Sequence, residues 1–201
     1  LESDLQVVGE AQDGREAVAM AKRLRPAVVV MDIAMPQLNG LEATRQILKI
    51  IPSTRILILT AHNDNAHVKN ATESGAVGFV LKQASSHVLV EGIREVNKGH
   101  LFFGPFIAKL LSESERNSVD RAGLPKPRHS RLSSREMEVL QLIAEGRPNK
   151  ETAAELGICM KTVEKHREKV MKKLNLHDTA SLTRYAISAG IVESSIQLTT
   201  A

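Results

Sequence analysis

Three polar residues stand where apolar runs stop: Asp32 after "VVVM", Thr60 after "ILIL" and Lys82 after "GFVL". A carboxylate, a hydroxyl and an ammonium together suit one chemistry, the transfer of a phosphoryl group to a side chain. The carboxylate attacks phosphorus as a nucleophile. The hydroxyl and the ammonium then hold the phosphoryl oxygens. Taken singly, each residue has an equally good plain reading, because loops begin where strands leave the core. Three such ends in one sheet weaken that reading. An isolated carboxylate is also expensive to carry to the end of a buried strand.

A second pattern lies near the other end of the chain. In "MKTVEKHREKVMKKL", Lys161, Lys165, Lys169 and Lys172 fall at i, i+4, i+8 and i+11, one stripe of a helix. Val163, Val170 and Leu174 fall on another side. A charge stripe alone is more often a solvated face. Here the stretch follows "NKETAAELG", a short helix stopped by Gly157, and two helices joined by a tight Gly-containing turn form a helix-turn-helix. The second helix of that motif enters the DNA major groove. Side chains near its N-terminus touch base edges, and lysines touch phosphates.

The elements that must position these residues follow from two periods. Runs reading as strands ("LQVVGEA", "AVVVM", "RILILT", "GFVL") alternate with helical stretches ("GREAVAMAKRL", "GLEATRQILKII", "NAHVKNATESG", "SHVLVEGIREVNKG"). Near-continuous apolar strands alternating with helices predict a parallel sheet covered on both faces. Residues 113–131 carry prolines and charge without an apolar period, which is linker composition. Beyond them only helices are expected. The first opens on a capping box, with Ser133 as N-cap and Glu136 three residues later. The last is capped by Asp178 and stopped by Gly190. The expected domains are residues 1–112, a linker over 113–131, and a helical domain over 132–196.

Composition bounds the function. With 201 residues, 42% hydrophobic and 25% charged, the chain reads as soluble and globular. The single cysteine, Cys159, allows no internal disulfide, so a reducing cytoplasm is the expected location. No apolar run is long enough to span a membrane. The net charge is +4, and the surplus sits at one end. From Lys126 onward there are thirteen Lys and Arg against nine Asp and Glu, while residues 1–112 are nearly balanced. That end is the better candidate for an anionic partner.

Residues 5–112 resemble the receiver domain of a two-component response regulator, through "MDIAMPQLNG", "ILTAH" and "GFVLKQAS". The resemblance implies a flavodoxin-like α/β fold, Asp32 as phospho-acceptor and the Ala34 carbonyl as a Mg²⁺ ligand. It further implies Thr60 as switch hydroxyl, Lys82 as the phosphoryl-contacting lysine and Phe79 as the switch aromatic. By its residue type alone, Phe79 is equally an ordinary core residue. Pro36 and Gly40 would shape the loop beside the acceptor. Receivers begin with a strand ending in two acidic residues that hold Mg²⁺. That strand, the acids and most of the following helix have no counterpart here, and Glu2 and Asp4 do not replace them. Mg²⁺ is therefore expected for a complete receiver and poorly held by this chain.

Residues 132–192 resemble the LuxR-type DNA-binding domain, through "LSSREMEVLQLIAEG", "NKETAAELGI", "KTVEKHREKVMKKLNL" and "AGIV". The resemblance implies a four-helix fold in which the third helix reads DNA. Lys161, Thr162, Lys165 and His166 are expected near bases, and Lys169 and Lys172 near phosphates. The fourth helix would pair protomers, with Leu182 and Tyr185 as dimer candidates, unless these belong to the domain's own core. Pro148 and Cys159 stand where the family usually places a capping serine.

Together the two parts resemble a NarL/FixJ-type response regulator. Its expected partners are a sensor histidine kinase, double-stranded DNA and a second copy of itself. The alternative is a regulator that binds DNA without phosphorylation. An enzyme is not expected. Phosphatases of the haloacid-dehalogenase type carry a general acid two residues after the nucleophile, and here that residue is Ala34.

Overall fold

The computed structural model describes residues 2–61, 73–105, 107–108 and 132–192. The chain divides into two compact units, Leu1–Lys126 and Pro127–Ala201.

In the first unit, α1 (Gly14–Leu24) starts at Asp13, whose side chain accepts the Glu16 N–H at 2.9 Å. It stops at Arg25, in the left-handed region at φ 47°. Then come β1 (Val28–Asp32), α2 (Gly40–Ile50), β2 (Arg55–Thr60), β3 (Gly78–Leu81), α3 (Ser86–Asn97) and a two-residue β4 (Phe102–Phe103). The strands lie side by side in chain order, β1-β2-β3-β4, and every pairing is parallel. Alternation divides the core between the sheet's two faces. Met31, Ile56, Ile58 and Phe79 pack with Ala21, Leu41 and Ile47 of α1 and α2. Leu57 and Val80 pack with Val96, and Ile93 of α3 lies against them.

The sheet departs from expectation at one edge. "LQVVGEA" forms no strand. Val7 and Val8 are 77% and 51% exposed, and Val30 of β1 is 40% exposed. A cavity of about 990 Å³ separates residues 4–11 from β1, and Met20 and Leu24 of α1 help to line it. The apolar run has strand character, yet a strand exists only against a ladder partner. Here the neighbouring edge stands across a gap. The helix expected at "NAHVKNATESG" falls mostly on residues 62–72, outside the described residues, as does most of the expected linker.

The second unit holds α4 (Ser134–Ala144), α5 (Asn149–Leu156), α6 (Met160–Leu174) and α7 (Thr179–Ser188). The capping box is formed. Ser133 N–H donates to Glu136 Oε2 at 2.8 Å, and Glu136 N–H donates to Ser133 Oγ at 3.4 Å. Gly157, at φ 62°, closes α5 and turns the chain into α6. Val139, Leu140 and Leu142 form the core with Val163, Val170 and Leu182. Pro148 and Cys159 stand at the N-caps of α5 and α6, and neither side chain makes a capping hydrogen bond.

Candidate functional site

The sheet brings the three predicted strand ends together. Asp32 ends β1, Thr60 ends β2 and Lys82 directly follows β3. Asp32 is registered against Leu59, and Thr60 against Leu81. The Lys82 N–H donates to the Thr60 carbonyl at 2.9 Å. Lys82 Nζ reaches back to Asp32 Oδ2 at 2.6 Å, with both side chains about one-third exposed. The other oxygen, Oδ1, accepts the Ala34 N–H at 3.3 Å. The carboxylate is thus partly open to solvent with an ammonium in contact.

The loop after β1 is held tight. Gly40 N–H donates to the Ile33 carbonyl at 2.8 Å, and a Cβ at Gly40 would collide with the Asp32 carbonyl oxygen. A side chain at position 40 would displace the Asp32 backbone. Gln37 takes the left-handed region at φ 63° and donates from Nε2 to Asp13 Oδ2 at 3.2 Å. Nothing in the sequence singles Gln37 out. Thr60 is 2% exposed and Phe79 1%. Phe79 stacks on Phe103 with ring centroids 5.4 Å apart and planes 10° from parallel. In this arrangement Phe79 is a core residue on β3, with β2 between it and the strand of the acceptor.

The residues present do not fit a Mg²⁺ ion. Mg²⁺ demands near-octahedral oxygen ligation. Among the described residues no three acidic, histidine or cysteine side chains converge. Glu2 and Asp4 are engaged elsewhere, at 2.5 and 2.7 Å from the Arg94 guanidinium. The hydrogen bond from Arg94 lowers the Asp4 carboxyl to about 2.

In the second unit, α6 presents Lys161, Lys165, Lys169 and Lys172 to solvent, while Val163 and Val170 are fully buried. Thr162 is half-buried at the helix start, its hydroxyl 3.1 Å from Cys159 Sγ. That contact holds the thiol below its usual range. His166 is half-buried, and its Nδ1 is buried without a partner. Burial, then the charges of Lys169 and Arg135, hold the imidazole below its ordinary pKa.

Three basic residues tie the helices together, two of them on α6, and sequence reasoning missed that role. Lys173 Nζ meets Glu136 Oε2 at 2.6 Å. Arg135 meets Glu138 at 2.7 Å and donates to the Leu156 carbonyl at 2.5 Å, joining α4 to the end of α5. Arg167 donates to Thr179 Oγ1 at the start of α7. The available signal was the capping box itself, whose buried Glu136 needs a cation. Leu182 is fully buried in the domain core and has no surface to offer a partner, so it drops out as a dimer contact. Its place on the inner face of α7 decides this. Tyr185 is half-buried against the same core.

Residues 1–94 match the response regulator receiver domain, and residues 130–186 match the luxR family of bacterial regulatory proteins. The chain is 36% identical over 194 residues to the oxygen regulatory protein NreC of Staphylococcus carnosus, covering 96% of this chain and 89% of that one. It is 37% identical over 183 residues to the transcriptional regulatory protein LiaR of Bacillus subtilis, covering 91% and 85%. Among solved structures it is similar to RcsB of Salmonella enterica serovar Typhimurium bound to promoter rprA, with a TM-score of 0.55 and 26% identity over 90% of this chain and 84% of that one. It is also similar to a LuxR-family two-component response regulator from Aurantimonas, with a TM-score of 0.53 and 37% identity over 55% and 79%. No helix among the described residues is long and apolar enough to cross a membrane. A parallel sheet with a carboxylate, a hydroxyl and an ammonium at its strand tips, joined in one chain to a lysine-faced helix-turn-helix, belongs to the two-component response regulators that carry a receiver domain and a LuxR-type DNA-binding domain and regulate transcription.

Proposed function

We propose that Asp32 is the phosphoryl acceptor of this regulator and that α6 is the helix that reads its promoters. The observation that carries the DNA reading is the row of four exposed lysines on a helix tied to α4 through Lys173 and to the start of α7 through Arg167. Lys161, Thr162, Lys165 and His166 would stand near base edges, and Lys169 and Lys172 near phosphates. One small helical domain covers little DNA, so a homodimer on an inverted repeat gives useful affinity. With Leu182 in the core, the outer face of α7 around Arg184 is the part left for a partner.

On the receiver side, a carboxylate oxygen of Asp32 attacks the phosphorus of a phosphohistidine on a sensor histidine kinase. The P–N bond breaks, the histidine leaves as a neutral imidazole after taking a proton from water, and Asp32 holds an acyl phosphate. Lys82, already at the carboxylate, follows the new charge, and Thr60 supplies a hydroxyl at the adjacent strand tip. Added charge at such a point biases a two-state surface, which here would control pairing of protomers in the cytoplasm. Receiver domains in general use Mg²⁺ for this step, and the residues described here do not assemble a site for it.

A second reading has this regulator binding DNA without phosphorylation. Footprints of the full chain with and without acetyl phosphate, paired with intact-mass measurement, separate the two. Protection of an inverted repeat supports the DNA reading, and its absence refutes it. Addition of one phosphoryl group, lost on Asp32→Ala, supports the acceptor. DNA protection with an unchanged mass supports the second reading.

A further inference from the structure

His166 lies on α6 four residues after Thr162 and three before Lys169, at the edge where the lysine row meets the packed side. Its two ring nitrogens have different surroundings. Nδ1 is buried and has no hydrogen-bond partner among the described residues. Nε2 also has no protein partner, but it is not buried and reaches solvent. A neutral imidazole carries one N–H. Placed on Nδ1, that N–H would be a buried donor with no acceptor. Placed on Nε2, it leaves only a bare ring nitrogen inside, and buried donors are the less tolerated orphans. The proton therefore belongs on Nε2.

The surrounding charges oppose a second proton. Lys165 and Lys169 flank His166 on its own helix, and Arg135 approaches from α4. Glu136, also on α4, is the one favourable charge, and it is already paired with Lys173 at 2.6 Å. A second proton would also place an N–H at the buried nitrogen.

We propose that His166 binds DNA as an uncharged imidazole, donating a single hydrogen bond from Nε2–H to an acceptor on the duplex. The acceptor is a phosphate oxygen or a base-edge oxygen or nitrogen. The inference rests on the reading that α6 lies against DNA. It gives His166 a role unlike that of its lysine neighbours, namely a fixed direction without displacement of a counterion.

The test measures affinity of the full chain for the footprinted duplex across salt and between about pH 6.5 and 8.5. His166→Gln puts an amide N–H near the Nε2 position, whereas His166→Asn puts one near Nδ1. His166→Gln is expected to bind like the parent. His166→Asn and His166→Ala are expected to bind about tenfold more weakly, as for one lost hydrogen bond. The slope of log affinity against log salt stays unchanged in all three. A loss shared by random duplex assigns the acceptor to phosphate, and a loss confined to the footprinted site assigns it to a base edge. Ring ¹⁵N shifts of the parent protein should show Nε2 protonated and Nδ1 bare, independently of how any variant folds. Binding that tightens as pH falls, with the trend abolished in His166→Gln, would overturn the proposal, as would a protonated Nδ1. A parent protein that binds no DNA defeats the underlying reading. A parent that binds while His166→Ala binds equally well defeats only this inference.

Discussion

Lys173 Nζ lies 2.6 Å from Glu136 Oε2, so the last turn of α6 is tied to the capping box that starts α4. One carboxylate thereby serves two helices. Burial pushes Glu136 up, but Lys173 and the Ser133 N–H and hydroxyl outweigh it and hold the carboxyl below its ordinary value of 4.5. A carboxyl lowered in the folded state contributes stability that is present above its ordinary pKa. That contribution is lost as pH falls through the lowered value. Lys173→Ala should cost about 1–3 kcal/mol in urea unfolding at neutral pH, because it leaves a buried acceptor charge without its cation. Glu136→Gln should flatten the loss of stability below about pH 4.5. Equal acid sensitivity in both proteins would place that loss elsewhere.

The lysine row predicts a graded response to salt. Each phosphate neutralised adds roughly 0.9 to the slope of log affinity against log salt. Lys169→Ala should weaken binding to all duplexes alike and reduce that slope by about one unit. Lys165→Ala, nearer the start of the helix, should also relax preference among bases. Titrations at several salt concentrations on specific and random duplexes measure both effects.

The open edge of β1 predicts self-association in solution. Among the described residues Val28–Met31 pairs with a strand on one side only, that of β2, and it carries an exposed Val30 and no lysine or proline to blunt the edge. Val30→Lys should reduce concentration-dependent association in sedimentation velocity while leaving the circular dichroism spectrum unchanged. If association persists undiminished, the edge is not its route.

Leu182→Ala should act as a core substitution. Its side chain is fully buried with Val139, Leu140 and Val163, so truncation should cost about 2–5 kcal/mol of domain stability. Thermal melts at two protein concentrations separate this from loss of a dimer, since a core effect lowers the melting temperature equally at both.

The strand-tip site was legible because period and punctuation agree there. An apolar run that stops on Asp32, Thr60 or Lys82 marks a strand end without knowledge of the sheet's partners, and the structure places these ends side by side. Leu5–Glu10 was not legible, because a strand needs a neighbour and sequence does not report whether one is present. Leu182 shows a related limit. A helical apolar period says which side is buried, but not whether a core or another protomer buries it. The bracing role of Lys173 was hidden in a run of similar lysines. The asymmetry of His166 belongs to two atoms of one ring, and only coordinates separate them.

The side-by-side order β1-β2-β3-β4 also bears on how the first unit is built during synthesis. Each strand pairs with the one made just before it, and registered partners stand only about 20–30 residues apart. Parallel pairing is slow as a class, and these separations keep its loop-closure cost low. A chain leaving the ribosome at about 5–20 residues per second can add each strand to the last edge as it emerges. No late strand among those described has to be threaded between two that are already joined. Growth in one direction is the expected order, with the pairing of Phe103 and Phe79 the last of the sheet to form.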